Sequence, residues 1–122
     1  MDHNEIRKEV ARVMDQIPVP FRRRLQNVEI VVEKRPAKSL LLAEGLDPRH
    51  DTLYGIYQGV PLTDRSEFSL PILPDKITIF SQPLIEDFPD PGELRAQIRL
   101  TVLHEIAHYF GMEEDEIDKL GY

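Results

Sequence analysis

The distribution of proline divides this sequence into two unlike parts. All ten prolines precede residue 92, and the sequence after them can form an uninterrupted helix. The start of that helix is marked by Asp90 at an N-cap position, Pro91 at the first helical position and Glu93 three residues after the cap. Apolar residues recur about every four positions as far as Phe110, and Gly111 can take the left-handed conformation that ends many helices. We therefore predict a long helix from Pro91 to about Phe110.

Shorter elements are predicted on either side of this helix. Apolar residues at steps of three and four predict an amphipathic helix over residues 4–16, and runs of β-branched and aromatic residues predict three strands. A short helical turn, a proline-rich surface excursion and a final acidic helix complete the pattern. The strands are predicted at 28–33, 53–57 and 76–80, the turn at 39–44, the excursion at 61–75, and the final helix after residue 113.

Length and composition indicate a single globular domain spanning residues 1–122. The chain is 41% hydrophobic and 30% charged, as expected for an ordinary folded protein. It has no apolar run long enough to span a membrane and no hydrophobic stretch after its polar first residues, so we expect a cytoplasmic protein without a membrane partner. Because it contains no cysteine, any transition metal must be held by histidine, aspartate or glutamate.

The net charge makes nucleic acid an improbable partner. It is formally −7 at pH 7, and an acidic domain gains nothing from counterion release at a phosphate backbone. The one basic cluster, Arg22-Arg23-Arg24, is interpreted as a solvated turn rather than a docking patch.

The motif His104-Glu105-Ile106-Ala107-His108 lies inside the predicted long helix. Residues four apart lie on the same helical face, so both imidazoles can reach one metal ion. Glu105 is offset by about 100° around the helix and flanks that ion. Its carboxylate can accept a proton from zinc-bound water and pass it to a leaving amine. We therefore predict one zinc ion held by His104 and His108, with Glu105 as general base.

A catalytic zinc usually takes three protein ligands, and the third is predicted to follow Gly111. A glycine there permits a sharp reversal that brings the chain back beneath the metal, which nominates Glu114. Asp115 is one residue out of register and Asp118 lies a full turn further on, and both remain alternatives, together with a distant histidine or water.

Three linked segments resemble the bacterial zincin-like metallopeptidase family, which has a minimal matrix-metalloproteinase-like fold. They are His104–Gly111 (HEIAHYFG) with acids at 114 and 115, Gly55–Thr63 (GIYQGVPLT) and Leu73–Phe80 (LPDKITIF). The resemblance implies an α+β fold in which a short mixed sheet packs on two main helices, with a short C-terminal helix. It also implies a zinc site at His104, His108 and Glu114, with Glu105 in the catalytic position. The broader metzincin group commonly has histidine at the third position and a methionine turn downstream, whereas the last methionine here is Met112.

Two functions follow as hypotheses. The first is a zinc metallopeptidase whose peptide or protein substrate lies beside the metal, paired with residues 77–80 if these form an edge strand rather than a core strand. In that enzyme Tyr54, Tyr57 or Tyr109 could donate to an oxyanion, although burial explains these aromatic residues equally well. The alternative is a non-catalytic zinc-binding or regulatory module, which a closed coordination position or the absence of a substrate groove would favour.

Overall fold

A computed structural model describes residues 1–60 and 75–122 of the chain. The predicted excursion at 61–75 falls almost wholly outside these residues. Two helices are long, α1 and α5, and the others are short. In chain order the elements are α1 (His3–Asp15), α2 (Val19–Arg23), β1 (Val28–Glu33), α3 (Lys38–Ala43), β2 (Gly55–Gln58), β3 (Asp75–Phe80), α4 (Ser81–Asp87), α5 (Pro91–Tyr109) and α6 (Glu114–Lys119).

The three strands form a mixed sheet in the order β1-β3-β2. Strand β3 runs parallel to β1, with Ile30 opposite Ile77, and antiparallel to β2, with Tyr57 opposite Ile77 on its other side. Within the described sheet β3 is therefore the central strand. This placement makes the edge-strand interpretation of residues 77–80 wrong, since β3 has a strand on each side and five of its six residues, Ile77 to Phe80 among them, are buried.

The core lies between α1, α5 and the sheet. Helix α5 packs against α1, β2 and β3, and the apolar stripe predicted along it is buried from Leu94 to Ile106, with Phe110 partly buried against the same core. Helix α1 contributes the residues whose spacing predicted it, which are Ile6, Val10 and Val13. The α+β architecture expected from the sequence, a short mixed sheet on two main helices with a short final helix, is confirmed.

The two helices not predicted from the sequence, α2 and α4, both contain proline. Pro20 lies in the first turn of α2, and Pro83 is the third residue of α4 and is buried. Proline is tolerated in the first turn of a helix, where its missing N–H group has no intrahelical acceptor. Neither helix is evident from the sequence, because proline inside a helix usually interrupts it. Arg22 and Arg23 consequently end a helix instead of lying in a turn.

Among the described residues, no helix combines the length and the apolar character that crossing a bilayer requires.

Candidate metal centre

Helix α5 begins and ends as its sequence predicts. The Asp90 side chain accepts a hydrogen bond from the Glu93 amide at 3.0 Å, which satisfies one of the free donors at the helix start. At the other end Gly111 has a φ of 89°. The amides of Gly111 and Met112 bond back to the carbonyls of His108 and Ala107 at 2.9 and 3.1 Å, the paired bonds of a Schellman motif. This turn reverses the chain and starts α6 directly beside the motif.

The reversal brings the Glu114 carboxylate to both imidazoles of the motif. Glu114 Oε1 lies 3.2 Å from His104 Nε2 and 2.7 Å from His108 Nε2. One ligand atom from each of the three residues lies within 4.8 Å of the other two. Among the described residues, the acid that lies close to both histidines is Glu114, and not Asp115 or Asp118.

A backbone carbonyl orients the ring of His108. His108 Nδ1 lies 3.2 Å from the Met112 carbonyl oxygen. Because a carbonyl can only accept, Nδ1 is the donor of this bond, and the ring is held with Nε2 as the nitrogen nearest Glu114. Histidines that bind metals usually have such a partner for their second nitrogen. His104 also makes a hydrogen bond to the backbone of Tyr122.

Glu105 lies deeper than the other three side chains. It is 8% exposed, and burial raises the pKa of Glu105 above its usual value, although His104, His108 and a hydrogen bond from the Tyr57 backbone act in the opposite direction. A buried carboxylate with a raised pKa beside two imidazoles has the character expected of a general base.

The cluster residues attract one another electrostatically. Partial burial lowers the pKa of His104, but the hydrogen bond to Glu114 and the charges of Glu105 and Glu114 outweigh it, so the pKa lies above its usual value. Burial raises the pKa of Glu114, yet its hydrogen bonds to the two histidines hold it below the usual value. The cluster therefore favours a carboxylate at 114, the form that binds cations.

An open cleft of about 530 Å³ lies beside this cluster. Strand β2 forms one wall through Gly55, Ile56 and Tyr57, and the turn after α5 forms another. A second hollow of about 420 Å³ adjoins it and shares Gly55, His104 and Glu105 in its lining.

Gly55 allows β2 to lie directly on α5. A Cβ atom at this position would meet Thr101 Cγ2 at 2.8 Å and the Thr78 carbonyl oxygen at 3.2 Å, closer than packed atoms normally approach. No role for Gly55 was predicted from the sequence, although a glycine inside a strand is a known signal of such close approach.

The three tyrosine hydroxyls considered as oxyanion donors bond elsewhere. Tyr54 donates to Asp87 Oδ2 at 2.5 Å, Tyr57 to Asp75 Oδ2 at 3.0 Å and Tyr109 to the Arg24 carbonyl at 2.8 Å. The interpretation of these residues as structural aromatics fits them better.

A small α+β domain whose longest helix carries His104 and His108, with Glu114 brought to them by the next helix, has the arrangement expected of a zincin-like protein. Residues 25–122 match the zincin-like metallopeptidase family, and the chain belongs to that family. Its fold is also similar to that of a conserved hypothetical protein from Thermus thermophilus, which is 23% identical. The TM-score is 0.61, and the likeness covers 90% of this chain and 94% of that one. No curated protein matches the chain.

Proposed function

We propose that this chain is a zinc-dependent peptidase that hydrolyses peptide bonds, with one zinc ion held by His104, His108 and Glu114 and with Glu105 as the general base. The observation that carries the proposal is the convergence of the three ligand atoms at the edge of an open cleft that Glu105 also lines. Membership of the metallopeptidase family supports the same reaction class.

The donor set fits zinc in its chemistry, since two imidazole nitrogens and a carboxylate oxygen are ligands that zinc takes. Ligand atoms of a tetrahedral zinc ion are roughly 3.3 Å apart; Glu114 Oε1 lies 3.2 Å from His104 Nε2 and 2.7 Å from His108 Nε2, so a bound ion would move His108 and Glu114 slightly apart. When bound, zinc supplies Lewis acidity and lowers the pKa of a water in its open coordination position.

Glu105 is positioned to move the proton. Its carboxylate lies at the cleft and is fixed by the Tyr57 backbone amide, so it can accept a proton from the attacking water and transfer it to the leaving amine. Burial raises the pKa of Glu105, which makes its carboxylate a stronger base for the first transfer than that of an exposed glutamate.

The substrate is proposed to lie extended along β2, the strand at the cleft edge of the described sheet. In an antiparallel pair, residues alternate between those whose backbone groups bond to the partner strand and those whose backbone groups point away from it. The Phe80 amide donates to the Tyr54 carbonyl at 2.8 Å, so the backbone groups of the next residue, Gly55, point away from β3. A peptide could add there as a further strand. The strand that pairs with the substrate is therefore β2, and not β3 as the sequence had suggested.

We also propose that the reaction takes place in the cytoplasm, in keeping with a chain that contains no cysteine.

The test compares wild type with Glu105→Gln for zinc content by mass spectrometry and for cleavage of a peptide library. We expect stoichiometric zinc in both proteins and cleavage lowered about 10²- to 10⁴-fold in the variant, the usual contribution of a general base. Glu29→Gln, the same change at an exposed residue of β1, is the matched control and should cleave like wild type.

The remaining outcomes separate the alternatives. Zinc in both proteins with cleavage in neither would favour a non-catalytic zinc module over the peptidase. Wild-type protein that does not bind zinc when metal is supplied would refute both.

A further inference from the structure

A second groove lies on the side of α5 turned away from the histidine cluster. It has a volume of about 420 Å³ and is lined mainly by apolar side chains, among them Ile17, Phe21, Leu103 and Phe110. Residues advance by about 100° each around a helix, so Ile106, a further lining residue, projects roughly opposite His108. The proposed peptidase mechanism makes no use of this surface.

The groove is bordered by large apolar side chains that solvent reaches. Phe21 is 53% exposed, Leu120 60% and Tyr122 42%, and all three line the same groove. Single exposed apolar residues are common on proteins, but several that converge on one hollow mark a binding surface.

One arginine lines this apolar surface and two more follow a lining residue on α2, in a chain whose net charge is negative. Arg99 lines the groove, and Arg22 and Arg23 follow Phe21 on α2; all three are exposed. In the part of the chain that the structure describes, neither Arg23 nor Arg99 takes part in an ion pair. Although the net charge is −7, these exposed arginines give this part of the surface a local positive charge, which favours an acidic partner over a basic one.

We propose that this groove docks an acidic amphipathic helix of a partner protein, with its apolar side chains in the groove and its carboxylates against Arg22, Arg23 and Arg99. The lining comes from helices α1, α2 and α5 and from the turns that follow α1, α5 and α6. No strand of the described sheet contributes an edge to it. An extended peptide would lack backbone partners there, whereas a helix satisfies its own. The proposal does not depend on the metal site.

The experiment selects binders from a displayed library of randomised peptides long enough for several helical turns, using the whole chain as bait. We expect enrichment of sequences with apolar residues at steps of three and four and acidic residues between them. Binding should weaken about tenfold in Arg99→Glu and with rising salt, and it should persist in Arg99→Lys. Arg49→Glu, the same reversal at an exposed arginine that does not line the groove, is the matched control and should bind like wild type.

Several results would overturn the proposal. The first is a set of enriched peptides without an excess of acidic residues. The second is that Arg99→Glu and Arg49→Glu weaken peptide binding equally. The third is that wild type enriches no peptides beyond those that the Arg99→Glu variant enriches. Sedimentation that shows wild-type self-association abolished by Arg99→Glu would assign the groove to a second copy of the chain instead. Flotation of wild type, but not Arg99→Glu, with vesicles of anionic lipid would assign it to a membrane surface.

Discussion

The two sides of helix α5 are built for different ligands. On the cleft side, His104, Glu105 and His108 each have polar partners, and the nearby backbone orients them. On the groove side, Leu103 and Phe110 are only partly buried and present apolar surface to solvent. A polar group that must act at a fixed position needs partners to hold it, whereas an apolar surface for docking needs only shape and exposure.

Met112 lies between the two sides. It lines both the cleft and the groove, and its carbonyl accepts from His108 Nδ1. The two surfaces therefore share one turn of chain, and substitutions that affect one and spare the other are the clearest way to test whether they are independent.

The largest effect is expected from removing a metal ligand on the cleft side. His108→Ala should weaken zinc binding by more than about 100-fold, since loss of even a supporting partner of a ligand commonly costs 10- to 100-fold. Zinc titration with a competing chelator measures this. His50→Ala, the same change at an exposed loop histidine, should leave the affinity as in wild type; equal affinities for all three proteins would remove His108 from the ligand set.

The next effect concerns the wall of the cleft. Gly55→Ala places a methyl group against Thr101 Cγ2 and should lower the free energy of unfolding by about 1–3 kcal/mol, the usual cost of overpacking. Urea unfolding of the metal-free protein measures it. Thr101→Ser removes the opposing methyl group, so the double variant should regain part of the loss. Strictly additive effects in the double variant would contradict the proposed contact.

A smaller effect is expected on the groove side. Phe21→Ser should change the free energy of unfolding by no more than about 0.5–1 kcal/mol, because a half-exposed side chain contributes little to the folded core. Zinc affinity should be unchanged. A loss of several kcal/mol in the same urea experiment would show that the groove is part of the core and not a surface kept open for a partner.

The smallest effect concerns the pKa of Tyr54, which lines the hollow beside the cleft. The hydrogen bond to Asp87, together with burial and the Asp87 charge, raises the pKa of Tyr54 to about 12 from 10.0. The folded pKa is the higher one, so this group's contribution to stability is complete below pH 10 and is lost as the pH rises toward 12. The tyrosinate absorbance difference between wild type and Tyr54→Phe follows the titration. Asp87→Asn should move it back toward the ordinary value, and an unshifted curve would argue against this hydrogen bond.

How far the sequence predicts the fold depends on whether the signal is local. Helix α5 was predictable because Asp90, Pro91 and Gly111 act within one turn of its ends, and strand β1 because β-branched residues favour extended chain. The helices α2 and α4 were not, since their prolines suggest interruption, and only burial of Pro83 and Leu84 shows why α4 forms where it does.

The same division applies to the candidate site. The spacing of His104, Glu105 and His108 is a property of the helix and needs no other part of the molecule. The backbone groups of Tyr57, Met112 and Tyr122 that orient them leave no trace in residue identity, because every residue carries the same amide. Strand order is likewise invisible in local composition, and for that reason β3 could be taken for an edge.

The amino-acid sequence by itself thus determined the long helix, the paired imidazoles on one face of it and the glycine at which the chain reverses. These depend on interactions between residues a few positions apart, which are set by backbone geometry. Tertiary structure alone decided that β2 and not β3 borders the cleft, and that apolar residues from both ends of the chain meet behind α5. These depend on contacts between distant segments, whose free energy is set by how the whole core packs.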